Sequence, residues 1–243
     1  MIVGLYSGAS SMISQGDHQA VIARNLANIN TVGYKKNVGI FQSYISDSQN
    51  KGLTTAQGTG SSLGTVATDF SQGVLEYTGN DLDISIKGDG FFAVKTNGGV
   101  CYTRKGQFML SRDAKIITPE GWYLLDHENS AIQIPQNTKS ITIKENGGIS
   151  ADGKEIGKLK VVTVSDLTNL ESIGGCAYRL SDKAKLPENA TYFEVAHRYL
   201  EKSNVNAIDE MVNMIANMRA YQSGYKVTNS IDDTLKKLIK LVT

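Results

Sequence analysis

The chain has 243 residues, which is enough for one large domain or two modest ones, and its 25 basic and 24 acidic residues leave a formal net charge of +1. This balance excludes a strong overall field that would attract nucleic acid or an anionic membrane. No apolar run approaches the roughly 20 residues needed to cross a bilayer, so we expect no membrane insertion. The first residues lack the basic and apolar regions of a secretory signal, which predicts either a cytoplasmic protein or export without signal cleavage.

Small and apolar residues near the amino terminus repeat at helical spacing and predict a first helix, near Met1–Ile29. The face predicted to pack is formed by Ile2, Leu5, Ala9, Met12 and Leu26. The following residues, from Asn28 to Gly33, supply the Asn and Gly that end helices and begin turns. Because the middle of the stripe is small and partly polar, this helix would be marginal in isolation.

Residues 46–65 are rich in Ser, Thr, Gly and Gln and contain almost no large apolar side chain. This composition predicts a linker or an extended arm.

From about Gly73 to Val195 the hydrophobic period changes to two, with turns at short intervals. The predicted strands are Leu82–Ile86, Phe91–Val94, Val100–Thr103, Gln107–Leu110, Lys115–Thr118, Trp122–Leu125, Ile132–Ile134, Ser140–Ile143 and Leu159–Val164. The turn Thr96–Gly99 predicts a hairpin between the second and third of these strands. Leu167–Ile173 is predicted to form a short turn or helix. Strands at this spacing are typical of an all-β domain, a partly open barrel or a sandwich.

The last segment has the strongest helical periodicity and predicts a continuous helix from Val205 to Thr243, with Ser203 or Asn204 as its N-cap. The stripe consists of Ile208, Met211, Ile215, Met218, Gln222 and Tyr225 and, after a skip of one residue, of Ile231, Leu235, Leu238 and Val242. A heptad-like stripe indicates a coiled-coil partner, and the first helix is the nearest candidate.

The titratable residues predict no catalytic, cofactor or metal site. His18, His127 and His197 lie in three different regions without metal-ligand spacing, and no nucleophile, zinc-protease or phosphate-binding motif is present. We therefore expect neither an enzyme nor a cofactor. Cys101 and Cys176 lack a CxxC pattern, which favours two buried or half-buried thiols and leaves a disulfide open.

Three segments, in chain order, resemble the basal-body rod and hook family of bacterial flagellar axial proteins. Val21–Lys35 is similar to the amino-terminal signature of that family. Thr78–Val94, followed by Tyr102–Phe108, is similar to its β domain, and Leu200–Tyr221 is similar to its carboxy-terminal motif. The length and the single β body are closer to the proximal or distal rod proteins than to the longer hook protein.

The resemblance implies an α+β fold in which the amino- and carboxy-terminal helices form a coiled-coil-like inner domain and the central β domain faces outward. It implies a structural subunit of the basal-body rod that polymerises with itself and with other rod and hook subunits into a helical tube. That tube would transmit motor torque to the hook and filament. The resemblance also implies export through the flagellar type III apparatus, without a cleaved signal peptide, into the part of the rod that crosses the periplasm.

On this basis we expect four segments: a helix of the inner domain at 1–34, an arm at 35–74, the central β domain at 75–196 and a second inner-domain helix at 197–243. The residues expected at the assembly interface are Ile2, Leu5, Ala9, Met12, Leu26, Asn28, Gly33, Ser203, Asn204, Val205, Ile208, Met211, Ile215, Met218, Ile231, Leu235 and Leu238.

Two alternatives remain open from the residues. One is a secreted hook-associated or adhesin-like binding module. The other is a cell-wall-active β domain on a helical anchor, which would need two carboxylates at glycosidase separation. Asp81 and Asp83 are the nearest pair, but two residues apart on a strand they are expected to share a polar face.

Overall fold

The computed structural model describes residues 2–46, 57–135, 138, 140–181, 185, 187–190 and 192–242. The described residues form two α-helices, α1 (Ile2–Ala27) and α2 (Ala207–Val242), and a single 3-10 turn at Leu167–Asn169. The strands are β1 (Lys36–Ser46), β2 (Gln57–Asp69), β3 (Leu75–Tyr77), β4 (Ile84–Lys87), β5 (Phe91–Thr96), β6 (Gly99–Thr103), β7 (Met109–Leu110), β8 (Ile116–Ile117), β9 (Tyr123–Leu124), β10 (Ile141–Ile143), β11 (Gly148–Ala151), β12 (Lys154–Lys158), β13 (Val161–Thr163), β14 (Leu170–Gly174), β15 (Ala177–Leu180), β16 (Glu188–Asn189), β17 (Glu194–His197) and β18 (Tyr199–Glu201).

The chain divides into two compact units. The first comprises Met1–Ala27, Asn37–Asp69 and Val205–Thr243, and the second comprises Asn28–Lys36 and Phe70–Asn204. The second unit is called the β body below. In the region expected to be an arm, residues 47–56 lie outside the described residues, whereas β1 and β2 on either side pair as a two-stranded sheet.

In the first unit α1 packs against both α2 and β2. Gly4 lies beside Ile231, whereas Asn25 donates a hydrogen bond to Glu210, so the two helices run antiparallel. The prediction of two long terminal helices is confirmed. Their partnership provides the packing that a marginal first helix needs in water.

The N-cap prediction for α2 was wrong by two to three residues. The helix begins at Ala207, and the side-chain carbonyl of Asn206 accepts a hydrogen bond from the Ile208 amide at 3.0 Å. The side chain of Asn204 instead binds the Lys36 amide at 2.7 Å, so it is not available to cap the helix.

The β body contains four antiparallel sheets. The largest has nine strands, with the order β14-β15-β6-β5-β9-β8-β7 and with β13 and β16 attached beside β5. The others are β10-β11-β12, the pair β17-β4 and the pair β18-β3. These open sheets confirm the predicted α+β class with a central β domain.

Strand β5 lies at the centre of the β body and is buried on both faces. Phe92 and Val94 belong to one hydrophobic cluster, and Phe91 and Ala93 belong to another. A strand buried on both faces needs a continuous apolar run rather than an alternating one, which explains the unbroken Phe-Phe-Ala-Val sequence. The predicted hairpin of β5 with β6 is confirmed, with Thr96 opposite Gly99.

Other strand predictions met the structure less evenly. The predicted strand Ile132–Ile134 is reduced to an isolated bridge between Lys115 and Gln133, although both of its isoleucines are buried. Strands β14 to β18 were not predicted, because their sequences are short and rich in Gly and charged residues. The expected short turn at Leu167–Ile173 is confirmed as the 3-10 turn at its start, which leads directly into β14.

The two cysteines are free thiols, Cys101 buried and Cys176 half-buried. In the antiparallel pair of β6 with β15, Tyr102 faces Tyr178. Continued in both directions, that register separates the two cysteines by three positions along the strands, or about 10 Å. A disulfide requires Cα atoms within about 7 Å, so this geometry excludes an intramolecular bridge.

Candidate assembly surface

The seam between α1 and α2 is built from small and polar residues rather than from large apolar ones. A Cβ atom placed on Gly8 would lie 2.7 Å from the Thr228 hydroxyl oxygen, and one on Gly224 would lie 3.3 Å from Met12 Cγ. The two helices therefore approach most closely where one of them carries glycine. Such a seam buries little apolar area, so polar contacts supply much of its specificity.

Asn217 is the polar centre of this seam. Its amide nitrogen donates to the Gln15 carbonyl and to Gln19 Oε1, both at 2.8 Å, and its side-chain carbonyl lies 3.2 Å from His18 Nδ1. Because the Asn217 side chain is buried, each of these bonds would be costly to leave unmade. The residue fixes the register of the two helices.

A second polar junction involves Asn25, which is almost completely buried. Its amide nitrogen donates to the Asn37 carbonyl at 2.8 Å and to Glu210 Oε2 at 3.2 Å, and its side-chain carbonyl accepts from the Asn37 amide at 2.9 Å. One amide side chain thus ties α1 to the start of β1 and to the first turn of α2. Asn25 belongs to the segment that carried the family resemblance, but sequence reasoning did not assign it this role.

The predicted stripe on the first half of α2 lies on a different face, which does not pack against α1. Ile208 is 72% exposed, Ile215 is 55% exposed and Met218 is 51% exposed; Met211 and Tyr225 are exposed to a similar degree. The first helix is therefore not the partner of this half of the stripe. The exposed stripe, defined as Ile208, Met211, Ile215, Met218 and Tyr225, runs for about 26 Å along the helix at 1.5 Å per residue.

The second half of the predicted stripe does face the seam. Ile231 and Leu235 are half-buried, and Ile231 lies beside Gly4 of α1. The skip of one residue in the periodicity is thus the point where the apolar residues move from the outer face to the seam. The side chain of Leu238 lies outside the described residues.

The predicted interface residues of the first helix are divided between surface and interior. Leu5 and Ala9 are exposed, Met12 and Leu26 are half-buried, and the side chain of Ile2 lies outside the described residues. At the start of the second helical segment Val205 is buried.

The β body contains a buried ion cluster that the sequence did not reveal. Lys35 Nζ donates to Glu201 Oε1 at 2.6 Å, and Arg104 Nη1 lies 3.5 Å from Glu201 Oε2. Burial is the main cause that lowers the pKa of the Arg104 guanidinium, and the nearby Glu201 carboxylate partly opposes it. Arg104 also donates to the Gly88 carbonyl at 2.8 Å and stacks over Phe91 at 5.3 Å.

This cluster sets the positions of the remaining predicted residues. Gly33 donates its amide to the Glu201 carbonyl at 2.8 Å, and Asn28 accepts the Thr31 amide in the turn just before it. Ser203 is buried, and Asn204 binds the Lys36 amide. These residues of the two terminal motifs thus hold the β body together, and the exposed stripe of α2 is the clearest free surface among the predicted residues.

The carboxylates considered for cell-wall chemistry are engaged in structural bonds. Asp83 is buried and accepts from the Thr78 hydroxyl at 2.7 Å and from Asn80 Nδ2 at 3.1 Å. Asp81 binds Arg198 Nη2 at 2.6 Å. Over the part of the chain that the structure describes, no group of His, Cys, Asp and Glu could hold a metal ion, and no helix is long and apolar enough to cross a membrane.

Three family models match this chain, in the order of its elements. Residues 5–35 match the model described as flagella basal body rod protein, and residues 85–151 match the flagellar hook protein FlgE/F/G D1 domain. Residues 196–241 match the flagellar basal body rod FlgEFG protein C-terminal model. The matches include α1 with the turn that follows it, much of the β body, and β18 with α2.

Curated relatives match over almost the whole chain. The chain is 33% identical to the flagellar basal-body rod protein FlgG of Bacillus subtilis (strain 168), over 262 aligned residues that cover 99% of each protein. It is 31% identical to FlgG of Buchnera aphidicola subsp. Schizaphis graminum, covering 99% of this chain and 100% of that protein. It is 29% identical to FlgF of Caulobacter vibrioides, covering 97% and 96%. The chain therefore belongs to the flagellar basal-body rod protein family, and it is a structural protein of the rod rather than an enzyme.

Proposed function

We propose that this protein polymerises with copies of itself and with other rod and hook subunits into a helical tube that transmits motor torque to the hook and filament. The observation that carries this proposal is the exposed stripe of α2. Ile208, Met211, Ile215 and Met218 repeat at heptad spacing on a face that α1 does not cover. A sustained heptad stripe favours burial against another helix, and neighbouring subunits would supply it.

The geometry of the helix pair supports a role in an open polymer. The seam consumes the small and polar faces of both helices and leaves the apolar face of α2 directed outward. A contact between that face and a different surface of the next subunit is heterologous, and such contacts generate helical assemblies when they do not close into a ring. Rigidity under torque then comes from many parallel helix contacts that share the load.

We further propose that the subunit reaches the rod through the flagellar type III export apparatus, without loss of a signal peptide. The small, polar seam supports this route, because a helix pair with little buried apolar area unfolds at low cost and can be threaded through a narrow channel. The assembled rod would then cross the periplasm. Normal amounts of rod in a strain whose type III export is blocked would contradict this route.

The direct test of the stripe is the variant Ile215→Asp, compared with Asn213→Asp on the same turn of α2. Both changes add one negative charge to an exposed position, but only Ile215 lies in the stripe. We expect Ile215→Asp to abolish rod assembly and motility in a strain that lacks the native protein, since it would bury a charge in the helix contact. Asn213→Asp should restore motility.

The folded state of both purified variants is checked by near-ultraviolet circular dichroism, which should match that of the unchanged protein. Normal rods built from Ile215→Asp would contradict the proposed contact. Normal filament assembly in the deletion strain itself would contradict the rod function as a whole.

A further inference from the structure

The outer edge of β17 lies open in the β body. β17 pairs with β4, with His197 opposite Ile84. The Ile84 amide donates away from β17, to the Gly106 carbonyl, and the Val195 amide donates away from β4, to the Glu145 carbonyl. In an antiparallel ladder such positions alternate with those that bond across the pair. The Val195 carbonyl and both backbone groups of His197 therefore point outward from the sheet.

These outward groups line a cleft of about 850 Å³. Leu75, Ile143 and Tyr199 form apolar parts of its wall, and Lys87 and Lys144 bring positive charge. Among the residues that the structure describes, none binds the His197 amide or the outward carbonyls of β17. An open strand edge of this kind is a template for an added strand.

The chain carries a matching edge of its own at one end of the nine-stranded sheet. In β14, Glu171 lies opposite Arg179, and the Ser181 amide donates to the Asn169 carbonyl. Since Asn169 and Glu171 share one parity, their backbone groups face β15. The amide and carbonyl of Ser172 therefore point away from the sheet, and Glu171 is exposed beside them.

We propose that β14 of a second copy adds to the outer edge of β17, with His197 and Ser172 exchanging the two backbone hydrogen bonds of an antiparallel pair. Glu171 then brings a carboxylate to the cleft beside Lys144, whose own partner Glu155 is 3.8 Å away and exposed. The contact joins two different surfaces, so it propagates from copy to copy instead of closing a dimer. It rests on the proposed polymerisation and adds a contact made by the β body to the one made by α2.

Residue-resolved hydrogen exchange, compared between the purified monomer and assembled rods, tests this strand addition. The amides of His197 and Ser172 should exchange rapidly in the monomer and at least about tenfold more slowly in the rod. The amides of Ala196 and Glu171 are matched controls, because they face β4 and β15 and should be protected in both states.

Each outcome of this comparison is decisive. Rods that form while the His197 amide still exchanges rapidly overturn the inference and leave the proposed polymerisation intact. Protection of His197 without protection of Ser172 overturns β14 as the occupant and identifies another strand. A protein that forms no rods overturns both proposals.

A charge exchange provides a second measurement. Lys144→Glu and Glu171→Lys, each alone, should raise the concentration needed for polymerisation by about threefold or more, since each places like charges together. The two changes in one chain should restore it. Lys154→Glu changes an exposed lysine that does not line the cleft and should have no such effect. Single variants that polymerise as readily as the unchanged protein, while their monomers stay folded, would overturn the pairing.

Discussion

Lys35 Nζ lies 2.6 Å from Glu201 Oε1, and the two side chains, 1% and 0% exposed, form a salt bridge inside the β body. Lys35 follows the turn after α1, whereas Glu201 ends β18, shortly before α2 begins. The pair therefore joins the chain leaving the first helix to the chain entering the second. Its carboxylate is further held by the Gly73 amide at 2.8 Å and by Arg104, so most of its bonding capacity is satisfied.

Removing the charge of Glu201 should destabilise the β body strongly. Glu201→Gln leaves Lys35 and Arg104 buried without a counter-ion, and breaking a buried pair in this way costs about 3–5 kcal/mol. Urea unfolding, followed by the fluorescence of Trp122, measures the loss. Glu76→Gln is the control, because Glu76 forms an exposed pair with Lys202 at 2.8 Å and its loss should cost less than about 1 kcal/mol. Equal costs for the two variants would show that the buried pair is not a major source of stability.

Gly33 should tolerate no side chain, for two separate reasons. Its φ of 68° lies in the left-handed region, and an added Cβ would lie 2.5 Å from the Lys105 backbone nitrogen. Gly153 shares the first property, with a φ of 82°, but has no atom within 4 Å of an added Cβ. Gly153→Ala should therefore cost about 1–2 kcal/mol of unfolding free energy, and Gly33→Ala should cost at least about 2 kcal/mol more. Denaturant unfolding of both variants gives the difference, and a value near zero would contradict the close approach.

The glycines of α1 should respond oppositely to alanine. An added Cβ at Gly16 meets nothing within 4 Å, so Gly16→Ala should stabilise the helix by about 1 kcal/mol through helix propensity. At Gly8 the same change places a methyl group 2.7 Å from the Thr228 hydroxyl and should force the two helices apart. Thermal unfolding followed by circular dichroism at 222 nm should show a higher midpoint for Gly16→Ala and a lower one for Gly8→Ala. A higher midpoint for both would mean that the seam is looser than the structure indicates.

The cysteines should remain reduced and differ in reactivity. Burial is the main cause that raises the pKa of the Cys176 thiol above its ordinary value. Since the thiolate is the reactive form, alkylation of Cys176 by iodoacetamide should require a higher pH than alkylation of an exposed cysteine. Cys101 is completely buried and should react only after unfolding. Mass spectrometry of the alkylated protein measures both sites, and a disulfide between them under oxidising conditions would contradict the register of β6 with β15.

The sequence determined the elements whose signal is local. Both terminal helices, the hairpin of β5 with β6 and the outward stripe at Ile208–Met218 follow from periodicity and turn residues within a short stretch of chain. The family resemblance was also visible, because its motifs are contiguous and occur in order. Such patterns depend on one segment and one solvent-facing or core-facing side, so no knowledge of distant residues is needed.

Only the tertiary structure decided which residues meet. Lys35 and Glu201, Asn25 and Glu210, and Asn217 and Gln15 are each paired across most of the length of the chain. A lysine, an asparagine or a glutamate has no apolar periodicity that could announce a buried position, and single polar residues are usually solvated. Their burial becomes favourable only when a specific partner, brought close by the whole fold, satisfies each hydrogen bond. For that reason the sequence indicated two helices that assemble, but the fold alone showed that a polar seam joins them and leaves the apolar stripe of α2 uncovered by α1.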